Sequence, residues 1–143
     1  MANRNFNRMQ ALDKEIKHIY AEWTDVSTPG NSVLNASRSA GVASITYNSV
    51  GNYTIVLEDT YPALFSFSAV LEDGSGLLGF ATAGFVQLWS DDVADPDSKS
   101  LTIQFVKLTD GAAGAIPTDT TKVKFHAVLK NSNASAVGSG NLT

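Results

Sequence analysis

The stretch GVASITYNSVGNYTIVLEDTYPAL, Gly41 to Leu64, reads as two amphipathic strands folded back on a tight turn. Ala43, Ile45 and Tyr47 alternate with Ser44 and Thr46. After Asn48-Ser49-Val50-Gly51 the alternation resumes, with Tyr53, Ile55 and Leu57 set against Asn52, Thr54 and Val56. A four-residue connection with Asn at one end and Gly at the other suits a hairpin turn, because both residues tolerate positive φ. A β-rich chain is expected, so its chemistry must be sought on a sheet scaffold.

Working outward, the same period recurs. Phe65, Phe67, Ala69 and Leu71 alternate with Ser66 and Ser68, and Phe85, Gln87 and Trp89 alternate with Val86 and Leu88. Leu101, Ile103 and Phe105 oppose Thr102 and Gln104, while Val123, Phe125, Ala127 and Leu129 oppose Lys124, His126 and Lys130. One apolar face and one polar face is the signature of antiparallel sheets packed on a second layer. The turn signals between these runs come at short intervals with no intervening helix. The expected fold class is therefore all-β, an antiparallel β-sandwich or jelly-roll-like domain, over residues 41–131.

The first 24 residues differ. Met9, Leu12, Ile16, Ile19, Tyr20 and Trp23 recur at three- and four-residue intervals, which predicts one stripe of a short N-terminal helix. Asp13 and Lys17 add a favourable pair four apart. Such a helix either packs on its own domain's sheet or serves as an arm docking on a neighbouring subunit. Residues 25–40, with Thr28-Pro29-Gly30-Asn31-Ser32, read as a linker and a first edge strand, and residues 132–143 as a polar C-terminal tail.

Composition excludes several classes of chemistry. The 143-residue chain has no Cys, which removes disulfides, thiolate metal sites and Cys nucleophiles together. Its opening Met-Ala-Asn-Arg-Asn leads to no apolar core before a cleavage site, and the apolar runs are short, so neither a signal peptide nor a membrane span is expected. The net charge of −4 is unevenly spread. From Ser39 to Ser98 there is no Lys or Arg, whereas Glu58, Asp59, Glu72, Asp73, Asp91, Asp92, Asp95 and Asp97 all lie there. A surface of that sign repels a phosphate backbone, so no direct nucleic-acid partner is expected.

The motifs of catalysis are weak. Gly74-Ser75-Gly76-Leu77-Leu78-Gly79 has the letters of a dinucleotide fingerprint but leads into Phe80-Ala81-Thr82-Ala83-Gly84 and a further strand, where the fingerprint needs a helix. Asp91, Asp92, Asp95 and Asp97 form a weak Ca²⁺ candidate on one loop, without the Gly and terminal Glu of the helix-loop-helix site. The chain has two histidines, His18 in the expected helix and His126 on the polar face of the last strand. No nucleophile elbow accompanies them. No catalytic residues and no cofactor are expected.

Gly41-Val42-Ala43-Ser44-Ile45-Thr46, followed by Gly51-Asn52-Tyr53-Thr54-Ile55-Val56-Leu57, resembles a hairpin pattern common in small tailed-bacteriophage virion proteins. Val123 to Ser132 is similar to the strand that closes such domains, with Lys130 where Arg is more usual, and MANRNFNRMQALDKEIKHIYAEW to their short N-terminal segment. The resemblance implies a structural protein of the virion, most specifically a capsid decoration (cement) protein. It further implies the major capsid protein as partner, a homo-oligomer in the form of a trimer, and a place on the outer surface of the capsid. A tail, neck or fibre-associated protein is the alternative. A carbohydrate-binding β-sandwich, with Trp89 and Tyr61 as a stacking platform, is the alternative from another class. For any of these the side chains expected at the interface are Leu12, Ile16, Ile19, Tyr20 and Trp23 on the front segment, and Tyr61, Phe65, Phe85 and Trp89 on the body.

Overall fold

The computed structural model describes residues 16–24, 33–73, 83–107, 110–114 and 121–131. They form eight strands: β1 (Ile16–Thr24), β2 (Val33–Leu34), β3 (Val42–Ser49), β4 (Asn52–Leu57), β5 (Ala63–Asp73), β6 (Ala83–Asp92), β7 (Ser100–Lys107) and β8 (Thr121–Lys130). A single 3-10 turn, Ala36–Arg38, follows β2. The strands make two four-stranded antiparallel sheets, ordered β2-β1-β8-β5 and β3-β4-β7-β6. The all-β expectation holds. The pairs β1–β2, β3–β4 and β6–β7 each stay within one sheet, while β2 to β3, β4 to β5, β5 to β6 and β7 to β8 pass between sheets.

Alternation explains why the sheets pack. From the first sheet Ile19, Ala21 and Trp23 of β1 and Val123, Phe125, Ala127 and Leu129 of β8 point inward and are buried. From the second, Tyr53, Ile55 and Leu57 of β4 meet Leu101, Ile103 and Phe105 of β7 in the same core. Each such aliphatic or aromatic side chain contributes about 1.5–3 kcal/mol when fully buried. Tyr53 is the aromatic hub: its ring lies 5.8 Å from Trp23, 5.5 Å from Tyr47 and 6.0 Å from Phe105, centroid to centroid. The spacings and tilts are those that aromatic quadrupoles favour.

The helical reading of the front segment fails over residues 16–24. These residues are β1, an inner strand that pairs along its length with β8, from Ile16↔Lys130 to Thr24↔Lys122. Ile16, Ile19, Tyr20 and Trp23 do fall at helical intervals, but Ile19, Ala21 and Trp23 also alternate, and pairing with β8 satisfies the strand's backbone while burying that face. Among the described residues the β domain therefore begins at Ile16. Leu12 and the rest of residues 1–15, the Thr28-to-Ser32 stretch, the Gly74-to-Gly79 motif and the polar tail lie outside the described residues.

The hairpin of Gly41 to Leu64 is present with a shorter turn than expected. β3 runs to Ser49 and pairs with Asn52, leaving Val50-Gly51 as the connection, with Asn48 taken up by a register shift between Tyr47 and Ser49. Gly51 has φ 68°, and a Cβ there would fall against the carbonyl oxygen of Gly114 and 2.8 Å from that of Phe105. Phe105 N in turn donates to Gly51 O. Only glycine fits this close approach.

Candidate docking surface

β5 and β6 are the edge strands of the two sheets at the same side of the sandwich, and they approach one another there. Seven large apolar side chains are exposed among the described residues, and five of them, Phe65, Val70, Phe85, Leu88 and Trp89, belong to these two strands. Bulges produce much of this. On β5 the register shifts between Leu64 and Ser66, so Phe65 falls out of the inward row. Leu64 packs on the core instead, and Phe65 is 56% exposed. On β6 the shift between Leu88 and Ser90 leaves Trp89 as the extra residue, 63% exposed. Extra residues of this kind re-aim side chains at sheet edges. Phe85 stands 50% exposed, while Val86, its neighbour, packs on the core.

Beside this margin the outer face of the second sheet carries uncharged polar rows. Gln87 Nε2 donates to Gln104 Oε1 at 3.0 Å across β6 and β7. Asn48 Nδ2 donates to Asn52 Oδ1 and to Thr54 Oγ1, both at 2.8 Å, and Thr54 Oγ1 lies 3.2 Å from Thr102 Oγ1. The rows hold their amides and hydroxyls in fixed orientations at the surface.

The expected interface residues thus separate into two groups. Phe65, Phe85, Trp89 and Tyr20 are at the surface, Tyr20 50% exposed on the outer face of the first sheet. Trp23, Ile19 and Tyr61 are not available to a partner, because they are buried in the core of this chain. Ile16, at the start of β1, is partly buried. Tyr61 is tied in through its N–H, which donates to Val93 O at 2.9 Å. Burial, aided by the negative charges of Asp59 and Glu58, raises its phenol pKa above the ordinary value. Leu88 and Val70 belong to the exposed margin without standing out in the sequence: Val70 follows Ser66 and Ser68 in the outward row of β5, and Leu88 alternates in step with Val86, which packs on the core.

The acidic loop after β6 works on its own backbone. Asp91 Oδ1 accepts from Val93 N at 3.3 Å, Asp95 Oδ1 accepts from Asp97 N at 2.9 Å, and Ser90 Oγ donates to Asp92 Oδ2. The first two are turns in which a short acidic side chain stands in for a backbone acceptor, and the third joins two side chains at the end of β6. Among the described residues no group of three or more His, Asp or Glu side chains is placed to hold a metal ion.

Two clusters decorate the first sheet. Glu22 is a buried acid on β1: Oε1 accepts from Asn35 Nδ2 at 3.0 Å and Oε2 from Arg38 at 3.3 Å, while Asn35 N donates to Glu22 O. This knot fastens the segment after β2 to β1. On the outer face, His18 of β1 and His126 of β8 are diagonal neighbours. Their rings stack with centroids 5.3 Å apart, and His18 Nδ1 lies 3.1 Å from His126 Nε2. A helical front segment leaves these two histidines unrelated; the alternation of His18 and Tyr20 with Ile19 and Ala21 is the signal in the sequence that puts them on one face. No family model matches the chain, and no curated protein or solved structure shows significant similarity to it.

Proposed function

We propose that this chain is a non-catalytic assembly protein of a tailed-phage virion, a capsid decoration protein that attaches to the major capsid protein lattice through its β5–β6 margin and stabilises the head. The observation that carries the reading is the concentration of exposed Phe65, Val70, Phe85, Leu88 and Trp89 on the two adjacent edge strands. Aromatic anchors on a rigid sheet bind with little ordering cost, and specific interfaces of this type bury about 1,600 Å² in total. The base-free, acidic run from Ser39 to Ser98 suits the outer surface of a capsid, away from packaged DNA. The resemblance of the β3–β4 hairpin and of β8 to phage virion chains points the same way and suggests a homotrimer. Recombinant chain added to capsids that lack it should be retained on sedimentation. Replacing Phe85 and Trp89 by Ser should abolish retention without lowering the melting temperature, and undiminished retention of that variant would remove the margin from the interface.

A carbohydrate-binding module is the second reading, favoured by one observation. Trp89 is a surface residue, and the strand that carries it also carries Gln87 of the polar rows, which is the pairing of stacking ring and amide that sugar recognition uses. Glycan-array binding lost in Trp89→Ala would support it; an empty array would remove it.

A further inference from the structure

We infer that His18 and His126 form a two-imidazole chelating site for a divalent transition metal of the Zn²⁺, Ni²⁺ and Cu²⁺ group. Imidazole is the preferred ligand of these ions, and the chain offers them no thiolate. The two nitrogens that face each other, His18 Nδ1 and His126 Nε2, are 3.1 Å apart. With Zn–N distances of about 2.05 Å, that separation subtends an angle of about 100° at the metal, between the octahedral and tetrahedral values. The strands supply this spacing. β1 and β8 are paired so that His18 stands opposite Val128 and His126 opposite Tyr20, a diagonal relation on the outer face of the sheet.

Without metal, one of the two nitrogens carries the proton that the other accepts. Chelation displaces that proton: a turn of each exposed ring about its Cβ–Cγ bond aims both lone pairs at one point, and the ring that carried the proton between the two nitrogens changes tautomer through solvent, keeping it on its other nitrogen, so that both ligands are neutral imidazoles. Water completes the coordination, since Ser68 and Tyr20, the residues opposite His126, are the nearest polar side chains in the strand register. In the rows that carry the two histidines, the nearest charged residues in the strand register are Lys124, Glu22 and, opposite Ile16, Lys130. Lys124, two residues before His126, is engaged by Glu72, and Glu22 is engaged by Arg38 and Asn35. A bound ion would clip β1 to β8, fastening the strand that leads out of residues 1–15.

The site contains both histidines of the chain, so imidazole resonances report on it alone. The full chain is titrated with ZnCl₂ at neutral pH in a non-coordinating buffer while the ring C–H signals are followed by NMR. Both rings should shift together and saturate at one equivalent, and the melting temperature should rise. His18→Ala should weaken the response of His126 by about a hundredfold, because the second ligand acts at high effective concentration, and His126→Gln should do the same to His18. Both variants change exposed side chains, and circular dichroism checks their folds. Independent midpoints for the two rings, single variants that bind as the parent does, or no shift at a large excess of zinc would each overturn the site.

Discussion

The indole of Trp23 on β1 lies against the ring of Tyr53 on β4, centroids 5.8 Å apart and planes at 54°, and both side chains are fully buried. The contact joins the two sheets at their centre. It also leaves the Trp23 Nε1–H without a hydrogen-bond partner among the described residues. A buried donor left unpaired costs about 1–3 kcal/mol, so the indole is retained here for its volume. Trp23→Ala should destabilise by about 3–5 kcal/mol through the cavity it leaves, and Trp23→Phe should cost clearly less because it deletes the unpaired N–H along with part of the ring. Urea denaturation of the two variants checks the order; equal losses would contradict it.

Gly51 and Gly111 separate backbone strain from crowding. Both have positive φ, 68° and 69°, but a Cβ at Gly111 meets nothing within 4 Å, whereas at Gly51 it meets two carbonyl oxygens. Gly111→Ala should cost about 1–2 kcal/mol, the left-handed penalty alone. Gly51→Ala should cost more than that and lower the melting temperature further, as measured by calorimetry.

Glu22 is buried, whereas Arg38, its partner, is mostly exposed. Removing a buried acceptor strands the donors around it, so Glu22→Ala should destabilise by about 1–3 kcal/mol. Arg38→Ala should cost less, because Asn35 still donates to the carboxylate and solvent reaches the vacated side. A larger loss for Arg38→Ala in denaturant titration would contradict this.

Two groups make stability depend on pH in opposite directions. The raised pKa of Tyr61 means the native state holds that proton more tightly than the unfolded chain does. Its contribution is complete below the ordinary tyrosine pKa of about 10 and is lost as pH rises beyond it. Glu72 is the reverse case. The hydrogen bond and charge of Lys124 lower its pKa, so its contribution is present above the ordinary glutamate value and is lost as pH falls through the lowered one. Melting temperatures against pH should show a flatter alkaline limb for Tyr61→Phe and a slightly flatter acid limb for Glu72→Gln.

Much of this architecture is legible in the sequence, and the failures have local causes. The inward rows of β4, β7 and β8 follow strict alternation: Tyr53, Ile55, Leu57; Leu101, Ile103, Phe105; Val123, Phe125, Ala127, Leu129. Where a bulge inserts one residue, the rule breaks. Ala43 was expected inside, but the shift between Val42 and Ser44 places Val42 there and exposes Ala43. The same device turns Phe65 outward, whereas Trp89, already in the row of the outward Gln87, is the extra residue of the shift between Leu88 and Ser90. A period-two pattern carries no mark of where the register slips, because the extra residue is fixed by the partner strand. The front segment failed differently: its apolar spacing fits both periods, and pairing with β8, more than a hundred residues away in sequence, decides for the strand.

The measurement closest to the central claim is quantitative mass spectrometry of purified particles of a phage whose genome encodes this chain. A decoration protein should be present at a copy number that scales with the major capsid protein, falling away when Phe85 and Trp89 are replaced by Ser. A few copies per particle would move the chain to the neck or tail, and its absence from particles would contradict the virion reading altogether.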